Sequence, residues 1–301
     1  MSRVSRRFLL AGGLSTAAIA LTGLGPFPSL ASQAGTSANR IVSVGGALTE
    51  IAFALGVGDR IVGADTTSSW PPEVEQVEKV GYMRRLSAEG VLSLRPDLVL
   101  LDDNAGPAMA IEQLRAAGVR LAIAPEGTGL DSVVPKIRFV GETLGRATEA
   151  EALATRFEEQ MGVLQSQLAA IEARPRVLLL ISVGRGAPLA AGSDTAAEAI
   201  IDLAHGSNAV VGLTGYKPLS AEAAIAAAPE VLLLPQHVAD SAGGADAVLQ
   251  RPDLAITPAG RNGRVVVMDS LKLLGFGLRT PEAVAELARA LHPEYAASIA
   301  L

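Results

Sequence analysis

Two of the three tyrosines in the 301-residue chain occupy equivalent places in an internal repeat. Tyr82 and Tyr216 each follow a glycine, and each precedes a Leu-Ser-Ala-Glu segment that is typical of a helix start. A phenolate oxygen is a hard anionic ligand suited to ferric iron, but its reference pKa of about 10 requires help from a nearby cation or from the metal itself. The pattern therefore indicates two candidate iron ligands. The alternative is that both phenols are hydrogen-bonded rim residues whose rings fill gaps between loops.

Basic residues directly follow both tyrosines. Arg84 and Arg85 come within three residues of Tyr82, and Lys217 is adjacent to Tyr216. A cation close to a phenol stabilises the phenolate and lowers its pKa. The same cations would also pair with the carboxylates of a bound ligand. These three basic residues are therefore candidate ligand contacts.

The tyrosines open two copies of one longer pattern, at residues 81–101 and 215–234. Each copy continues with a serine suited to cap a helix, an acid in the first helical turn, a proline and an apolar strand. The two acids are Glu89 and Glu222, which as residues alone are also explained as helix-capping charges. Two equivalent units predict two lobes whose equivalent loops face each other across a cleft.

Composition and motifs argue against several other functions. The absence of cysteine excludes thiolate metal sites and cysteine nucleophiles, and the net charge of -6 argues against a nucleic-acid binder. No Walker A or G-x-S-x-G motif occurs, and His205, His237 and His292 stand apart, as expected for surface or helix-end residues. We therefore expect a binding protein and not an enzyme. A secreted α/β hydrolase or transferase and a structural envelope protein are the competing classes.

The elements that must position these residues alternate between strand and helix patterns. Helical patterns such as 48–55 and 108–117 separate short runs rich in Val, Leu and Ile. Near-continuous apolar runs are typical of parallel strands covered on both faces, so the fold class is α/β with parallel sheets. The predicted strands are 40–44, 60–64, 97–102, 120–124, 176–183, 208–211, 231–235 and 264–268.

One long helix is predicted at 148–173, in the middle of the chain. Its apolar residues recur at spacings of three and four; they are Leu153, Phe157, Met161, Leu164, Leu168 and Ile171. A helix of about 26 residues would be about 39 Å long. We interpret it as a spine that joins an N-terminal lobe at 38–145 to a C-terminal lobe at 175–301, with the linking segment at 146–174. The alternative is a long surface helix within one domain.

Residues 1–34 have the three-part layout of an export signal. Arginines precede an apolar stretch from Phe8 to Leu24, and small residues surround Ala31. Residues 5–9 (Ser-Arg-Arg-Phe-Leu) resemble a twin-arginine signal, with a Sec signal and an uncleaved anchor as alternatives. Cleavage near Ala31 removes three arginines and leaves 22 basic and 31 acidic residues, a net charge of -9. Because no cysteine is available to carry a lipid, we expect a freely soluble periplasmic monomer.

Five segments of the chain resemble periplasmic haem-binding proteins of haemin ABC importers. They are 41–50, 62–71, 81–100, 216–220 and 275–277, and the resemblance extends over about residues 38–295. The most specific segment is Gly-Tyr-Met-Arg-Arg-Leu-Ser at 81–87, within a broader class that includes carriers of cobalamin and ferric siderophores. The resemblance implies two Rossmann-like lobes with parallel sheets, joined by one long helix, with haem in the cleft between them.

The resemblance also implies roles for individual residues. The family's axial iron ligand matches Tyr82, and the arginine near that ligand matches Arg84 or Arg85. Lys217 is a further candidate contact with the haem. For Tyr216 the resemblance leaves three roles open: an opposing ligand, a ring stacked on the porphyrin, or part of a site for a second haem.

The remaining implied roles concern the edge of the cleft and the partner. Trp70 lies in one of the matching segments and is a candidate ligand contact. In the class, one glutamate per lobe docks on arginines of the membrane permease, and these match Glu89 and Glu222. Leu278 stands where family members often have a proline before an arginine, which leaves Arg279 as a candidate for the pocket. The implied function is delivery of haem to an ABC permease and its ATPase, and the alternative is a ferric-siderophore or cobalamin carrier.

Overall fold

A computed structural model describes residues 38–184 and 186–301. The predicted export signal at 1–34 lies outside these residues. In the described ranges, every helix is too short or too polar to cross a lipid bilayer.

The first sheet is wholly parallel. Its strands within residues 38–184 are β1 (Ile41–Val44), β2 (Ile61–Ala64), β3 (Glu78–Lys79), β4 (Leu98–Leu101) and β5 (Arg120–Ile123), in the order β3-β2-β1-β4-β5. All residues of β1 and β4 are buried, as expected for central strands covered on both faces. The parallel α/β pattern predicted for this half of the chain is confirmed.

The second sheet is mixed. Its strands are β6 (Arg176–Ser182), β7 (Leu189–Ala191), β8 (Ser207–Asn208), β9 (Tyr216–Pro218), β10 (Val231–Pro235) and β11 (Val265–Met268), and the order is β11-β10-β6-β7-β9 with β8 beside β6. The pairs of β7 with β6 and with β9 are antiparallel. The sequence pattern missed β7 and β9 because each has three residues, and Pro218 lies on the edge strand, where a missing N–H is tolerated.

The predicted strand at 208–211 is wrong beyond its first residue. β8 ends at Asn208, whose side-chain oxygen accepts a hydrogen bond from the backbone N–H of Val210 at 3.1 Å. This local turn competes with the sheet for the backbone. It turns Val211 outward, where it is 90% exposed.

Helices cover both sheets, in agreement with the predicted strand–helix alternation. Those of the first half are α1 (Gly46–Ala54), α2 (Ala88–Ser93), α3 (Ala108–Ala116), α4 (Val133–Leu144) and α5 (Ala147–Leu168). Those of the second half are α6 (Ala196–Leu203), α7 (Ala221–Ala227), α8 (Gln236–Ser241), α9 (Ala245–Leu249), α10 (Pro252–Ala255), α11 (Pro258–Asn262), α12 (Ser270–Leu274) and α13 (Thr280–Leu291).

The long helix α5 ends five residues earlier than the pattern predicted. Its 22 residues span about 33 Å at 1.5 Å per residue. The carbonyl of Ile171 lies 3.2 Å from Nδ1 of His205 instead of continuing the helix, and Arg174 donates to the carbonyl of Gly206 at 2.9 Å. Pro175 then disfavours helical backbone at the preceding residue. The chain therefore leaves the helix before the proline and enters β6.

One apolar core joins both sheets through α5. It combines alternate strand residues with the buried stripe of the helix; among them are Ile41, Leu98, Leu100, Val177, Leu179, Phe157, Met161, Leu164 and Leu168. The intervening residues of the same strands point to the opposite faces and form a separate cluster against each sheet. Both sheets are thus anchored to the same helix. We propose to divide the chain into a first lobe at 38–145 and a second lobe at 175–301.

The shared core yields a test on adjacent residues of α5. Leu164 is fully buried, whereas its neighbour Val163 is 53% exposed. Replacing Leu164→Ala should lower the free energy of unfolding by about 2–5 kcal/mol because it leaves a cavity in the core. The control Val163→Ala should change it by about 0.5 kcal/mol or less. Urea unfolding followed by circular dichroism checks both values, and an unchanged midpoint for Leu164→Ala would contradict the shared core.

Candidate functional site

Tyr82 projects from a tightly anchored loop after β3. Gly81 has φ +94, a conformation that favours glycine, and its carbonyl accepts a hydrogen bond from the N–H of Thr66 at 2.8 Å. Tyr82 precedes a 3-10 turn at Met83–Arg85, and the side chain of Met83 is buried below it. The Met83 carbonyl and the Leu86 N–H both bond the backbone of Gly106. The tyrosine backbone is therefore fixed from both sides.

The hydroxyl of Tyr82 is paired with a cation. Nη1 of Arg84 donates a hydrogen bond to this oxygen at 2.7 Å, and the guanidinium carbon lies 6.0 Å from the centre of the ring. The tyrosine is 40% exposed, so the phenol is accessible to a ligand. The phenol and its cationic partner therefore lie together on the surface of the first lobe.

Tyr216 approaches from the second lobe on strand β9. It pairs with Ala191 of β7, and it is 39% exposed. Burial is the largest influence on its hydroxyl and raises the pKa above the ordinary value of 10.0. The N–H of Ala197 at the start of α6, the charge of Arg84 and the hydroxyl of Thr195 oppose this rise in the pKa. The Tyr216 phenol is therefore protonated at neutral pH in the absence of a metal.

Arg84 is the link between the two phenols. It bonds the hydroxyl of Tyr82 directly, and its charge acts on Tyr216 of the other lobe. The structure thus brings Tyr82 and Arg84 into direct contact and places the Arg84 charge near enough to influence the pKa of Tyr216. The side chains of Arg85 and Lys217 are exposed and make no hydrogen bond or ion pair within the described residues. Both stay predicted contacts that a ligand with carboxylates would engage.

A buried polar network supports the loop that carries Trp70. Asp65 at the end of β2 is fully buried and accepts hydrogen bonds from the Gly45 N–H, the Thr67 N–H and the hydroxyls of Thr67 and Ser68. Thr49 of α1 extends the network to Ser68 at 2.7 Å. Four satisfied bonds to one carboxylate hold the loop rigidly on the first sheet.

The Trp70 side chain contacts a cation. Its ring stacks on Arg279 of the second lobe, which in turn pairs with Glu50 of α1. Arg279, a candidate for the pocket in the sequence, is therefore already engaged. Burial raises the pKa of Glu50 although Arg279 opposes the rise. The sequence reasoning missed Glu50; the available signal was a lone charge in the otherwise apolar or small stretch Gly46–Ala54.

The two repeat helices begin as the sequence predicted. Oγ of Ser87 accepts a hydrogen bond from the Gly90 N–H, and Oγ of Ser220 accepts one from the N–H of Ala223, both at 3.2 Å. The acids of the first turns, Glu89 and Glu222, are exposed. Hydrogen bonds from its own N–H and from Ser220 lower the pKa of Glu222. Each lobe thus presents one exposed carboxylate at the start of a helix.

The histidines lie apart from one another. Nδ1 of His237 is 2.7 Å from the hydroxyl of Ser270, and His205 caps the end of the linking segment. His292 follows the last residue of α13, as a helix-end residue would, but it is fully buried instead of lying at the surface. In residues 38–184 and 186–301, no cluster of three or more histidines and acids is arranged to hold a metal ion.

The raised pKa of Tyr216 generates a pH-dependent prediction. The unfolded chain releases this proton near pH 10, whereas the folded chain holds it to higher pH, so the free energy of unfolding falls as the pH rises through that interval. Tyr216→Phe should lose less stability than the parent between about pH 9 and about pH 10.5. Urea unfolding at both values and tyrosinate absorbance measure the effect. Tyr295→Phe is the control, and equal losses in Tyr216→Phe and the parent would contradict the prediction.

Comparisons with known proteins place this geometry in a family. Residues 41–271 match the model of a periplasmic binding protein family. The periplasmic haem-binding protein RhuT from Roseiflexus sp. RS-1, solved without ligand, is 43% identical with a TM-score of 0.81, covering 87% of this chain and 99% of that one. The haem-binding protein BhuT, solved with two haems, is 43% identical with a TM-score of 0.80 over the same shares.

A curated relative is also similar to this chain over most of its length. The uncharacterized ABC transporter substrate-binding lipoprotein YvrC of Bacillus subtilis is 30% identical over 258 residues, which cover 85% of this chain and 80% of the relative. The family model, the two-sheet architecture and these similarities agree over most of the described residues. The chain belongs to the periplasmic binding protein family.

Proposed function

We propose that this chain binds haem between its two lobes and delivers it to an ABC importer. One observation carries the proposal: the hydroxyl of Tyr82 accepts a hydrogen bond from Arg84, and the charge of the same arginine acts on the phenol of Tyr216 in the second lobe. Solved structures that are 43% identical to this chain are haem-binding proteins, which supports the same ligand here. The family of binding proteins also supports a carrier function.

Tyr82 is the proposed axial ligand of ferric haem. The Tyr82 residue is 40% exposed, and the guanidinium beside its hydroxyl would stabilise a phenolate bound to iron. Tyr216 carries a raised pKa and stays neutral until a metal displaces its proton. We therefore assign Tyr82 to the iron and Tyr216 to the opposite face of the porphyrin, as a stacked ring or a hydrogen-bond donor.

The remaining affinity would come from burial of the porphyrin. Apolar contact contributes about 25 cal/mol per Å² of apolar surface removed from water, so the macrocycle supplies most of the binding free energy. The exposed cations Arg85 and Lys217 are the proposed partners of the propionates. They matter because the net negative charge of the chain does not attract an anionic ligand.

The location and the partner belong to the same proposal. The family supports a periplasmic site of action, and the absence of cysteine from the chain supports a protein without an N-terminal lipid, in contrast to the lipoprotein YvrC. Glu89 and Glu222, one exposed acid on each lobe, are the proposed docking groups for arginines of an inner-membrane permease. We propose that the carrier acts as a monomer, with both lobes contacting one permease.

The ligand assignment is tested by titrating ferric haem into the purified chain and recording the absorption spectrum. Tyr82→Phe should abolish the tyrosinate-to-iron bands and weaken binding about tenfold or more, because the iron bond is lost. Tyr216→Phe should keep those bands, and Tyr295→Phe, outside the site, should match the parent. Quenching of the single tryptophan, Trp70, gives an independent binding curve and the number of haems bound.

Two results of this titration would overturn the proposal. One is an unchanged iron spectrum in Tyr82→Phe. The other is tight binding of cyanocobalamin or a ferric siderophore with no binding of haem, which would favour the alternative carrier. The parent and the three tyrosine variants are compared at equal concentrations, so a difference in folding appears in their circular dichroism before haem is added.

The docking assignment is tested by haem uptake into vesicles that contain the cognate permease and ATPase. Glu89→Ala and Glu222→Ala should each reduce uptake and together nearly abolish it, because each lobe loses its charged contact. Haem affinity should stay within about twofold of the parent, since neither acid touches the phenols. Glu75→Ala, another exposed acid, is the control. Normal uptake by the double variant would contradict the assignment.

A further inference from the structure

Three side chains from opposite lobes meet at one contact. Glu50 lies on α1 and Trp70 follows β2 in the first lobe, whereas Arg279 directly precedes α13 in the second. Nε of Arg279 donates to Oε1 of Glu50 at 2.5 Å, and the guanidinium carbon lies 4.6 Å from the centre of the Trp70 ring. Only 6% of the Glu50 side chain and 13% of the Arg279 side chain are exposed. The first lobe thus holds Arg279 through a charge and an aromatic face.

The backbone around this contact leaves no room for the lobes to approach further. A Cβ added at Gly277 of the second lobe would overlap Oε2 of Glu50. A Cβ added at Gly46, at the start of α1, would overlap the side chain of Leu271 of α12. Because both positions are glycine, the backbone of each lobe lies directly against a side chain of the other lobe. The separation of the lobes is therefore set here by direct contact.

The second lobe also orients the arginine. Oδ1 of Asp269 lies 3.4 Å from Nη2 of Arg279, and the same oxygen caps α12 by accepting from the Lys272 N–H at 2.8 Å. Glu282, in the first turn of α13, adds a further negative charge that acts on Glu50. Arg279 is consequently the cation shared by acids of both lobes.

A short chain of contacts connects this point to Tyr82. Trp70 ends the loop that Asp65 holds on the first sheet, and within that loop the Thr66 N–H bonds the carbonyl of Gly81. Gly81 directly precedes Tyr82. The residues that grip Arg279 and the loop that presents the phenol therefore belong to one hydrogen-bonded segment of the first lobe.

We propose that Glu50, Trp70 and Arg279 form an inter-lobe clamp that fixes the distance between Tyr82 and Tyr216. They are positioning residues that act through the lobes and not by contact with the ligand. The ligand-binding consequence rests on the proposed function, whereas the clamp itself is a property of the chain without ligand.

The stability of single and double variants at Glu50 and Arg279 should differ from that of an ordinary stabilising contact. A buried ion pair adds little net stability, but removal of one partner leaves an uncompensated buried charge and is costly. Glu50→Gln and Arg279→Met alone should therefore destabilise the fold more than the two together. All three variants should nevertheless loosen the lobes, because none retains the charged contact.

The distance between the lobes can be measured directly because the chain has no cysteine. Gln113→Cys on α3 and Gln250→Cys after α9 provide one exposed spin-label site on each lobe. Without haem, the parent should give one narrow distribution of label distances. Arg279→Met and the double variant Glu50→Gln with Arg279→Met should give a shifted and broader distribution.

A matched control and a milder variant keep the test decisive. Arg138→Met with Glu151→Gln removes an exposed ion pair between α4 and α5, held by two hydrogen bonds, and it should leave the distances unchanged. Trp70→Leu removes only the aromatic contact and should broaden the distribution in a fully folded protein. Unchanged distances in folded Arg279→Met and Trp70→Leu would overturn the clamp.

A second readout separates the clamp from the ligand assignment. If the carrier binds haem, haem should leave Arg279→Met for an excess of apomyoglobin about fivefold faster or more than it leaves the parent, with the iron spectrum unchanged. An unchanged rate in a variant with loosened lobes would show that the clamp does not govern the site. If the parent binds no haem, the proposed function is wrong. The clamp is then tested by the distance measurement alone.

Discussion

The apolar core along α5 is the constraint on which the rest of the molecule depends. Phe157, Met161, Leu164 and Leu168 present one buried stripe to strand residues of both sheets. Two sheets anchored on one rigid helix cannot separate widely without exposing that stripe to water, which costs about 25 cal/mol per Å², whereas smaller changes in their spacing depend on local contacts such as that of Glu50 with Arg279. A site assembled from loops of both lobes therefore has defined geometry before any ligand arrives, which lowers the entropic cost of binding.

Charge is used differently at the two places where the lobes meet. Beside α1 a carboxylate and a guanidinium are nearly buried together, so their geometry is fixed and their net contribution to stability is small. At the tyrosines, Arg84 bonds an exposed phenol and lies open to water and to a ligand. The first arrangement suits a structural contact. The second suits a ligand site, because both the phenol and its cationic partner remain exposed.

The internal repeat produces the same helices but different presentations of its tyrosines. Ser87 and Ser220 cap their helices alike, and the strands that follow are buried alike. Tyr82 nevertheless stands at a 3-10 turn, whereas Tyr216 belongs to an edge strand paired with β7. The antiparallel partner supplied by the second sheet accounts for the difference. The Tyr82 hydroxyl consequently bonds a neighbouring arginine, whereas the pKa of Tyr216 is raised by burial.

Local pattern alone determined the strand and helix alternation, the apolar stripe of α5, the serine caps and the pairing of Tyr82 with a following arginine. These features depend on residues close in the chain. Arg84, and not Arg85, bonds the Tyr82 hydroxyl because the local 3-10 turn brings the Arg84 side chain back to it. Tertiary structure alone decided the antiparallel β7 and β9, the engagement of Arg279 by Glu50, and the early end of α5 at Leu168, beyond which the carbonyl of Ile171 meets His205. Glu50 and Arg279 lie 229 positions apart. Their contact follows from how two lobes pack on one helix, and no local periodicity or propensity carries that information.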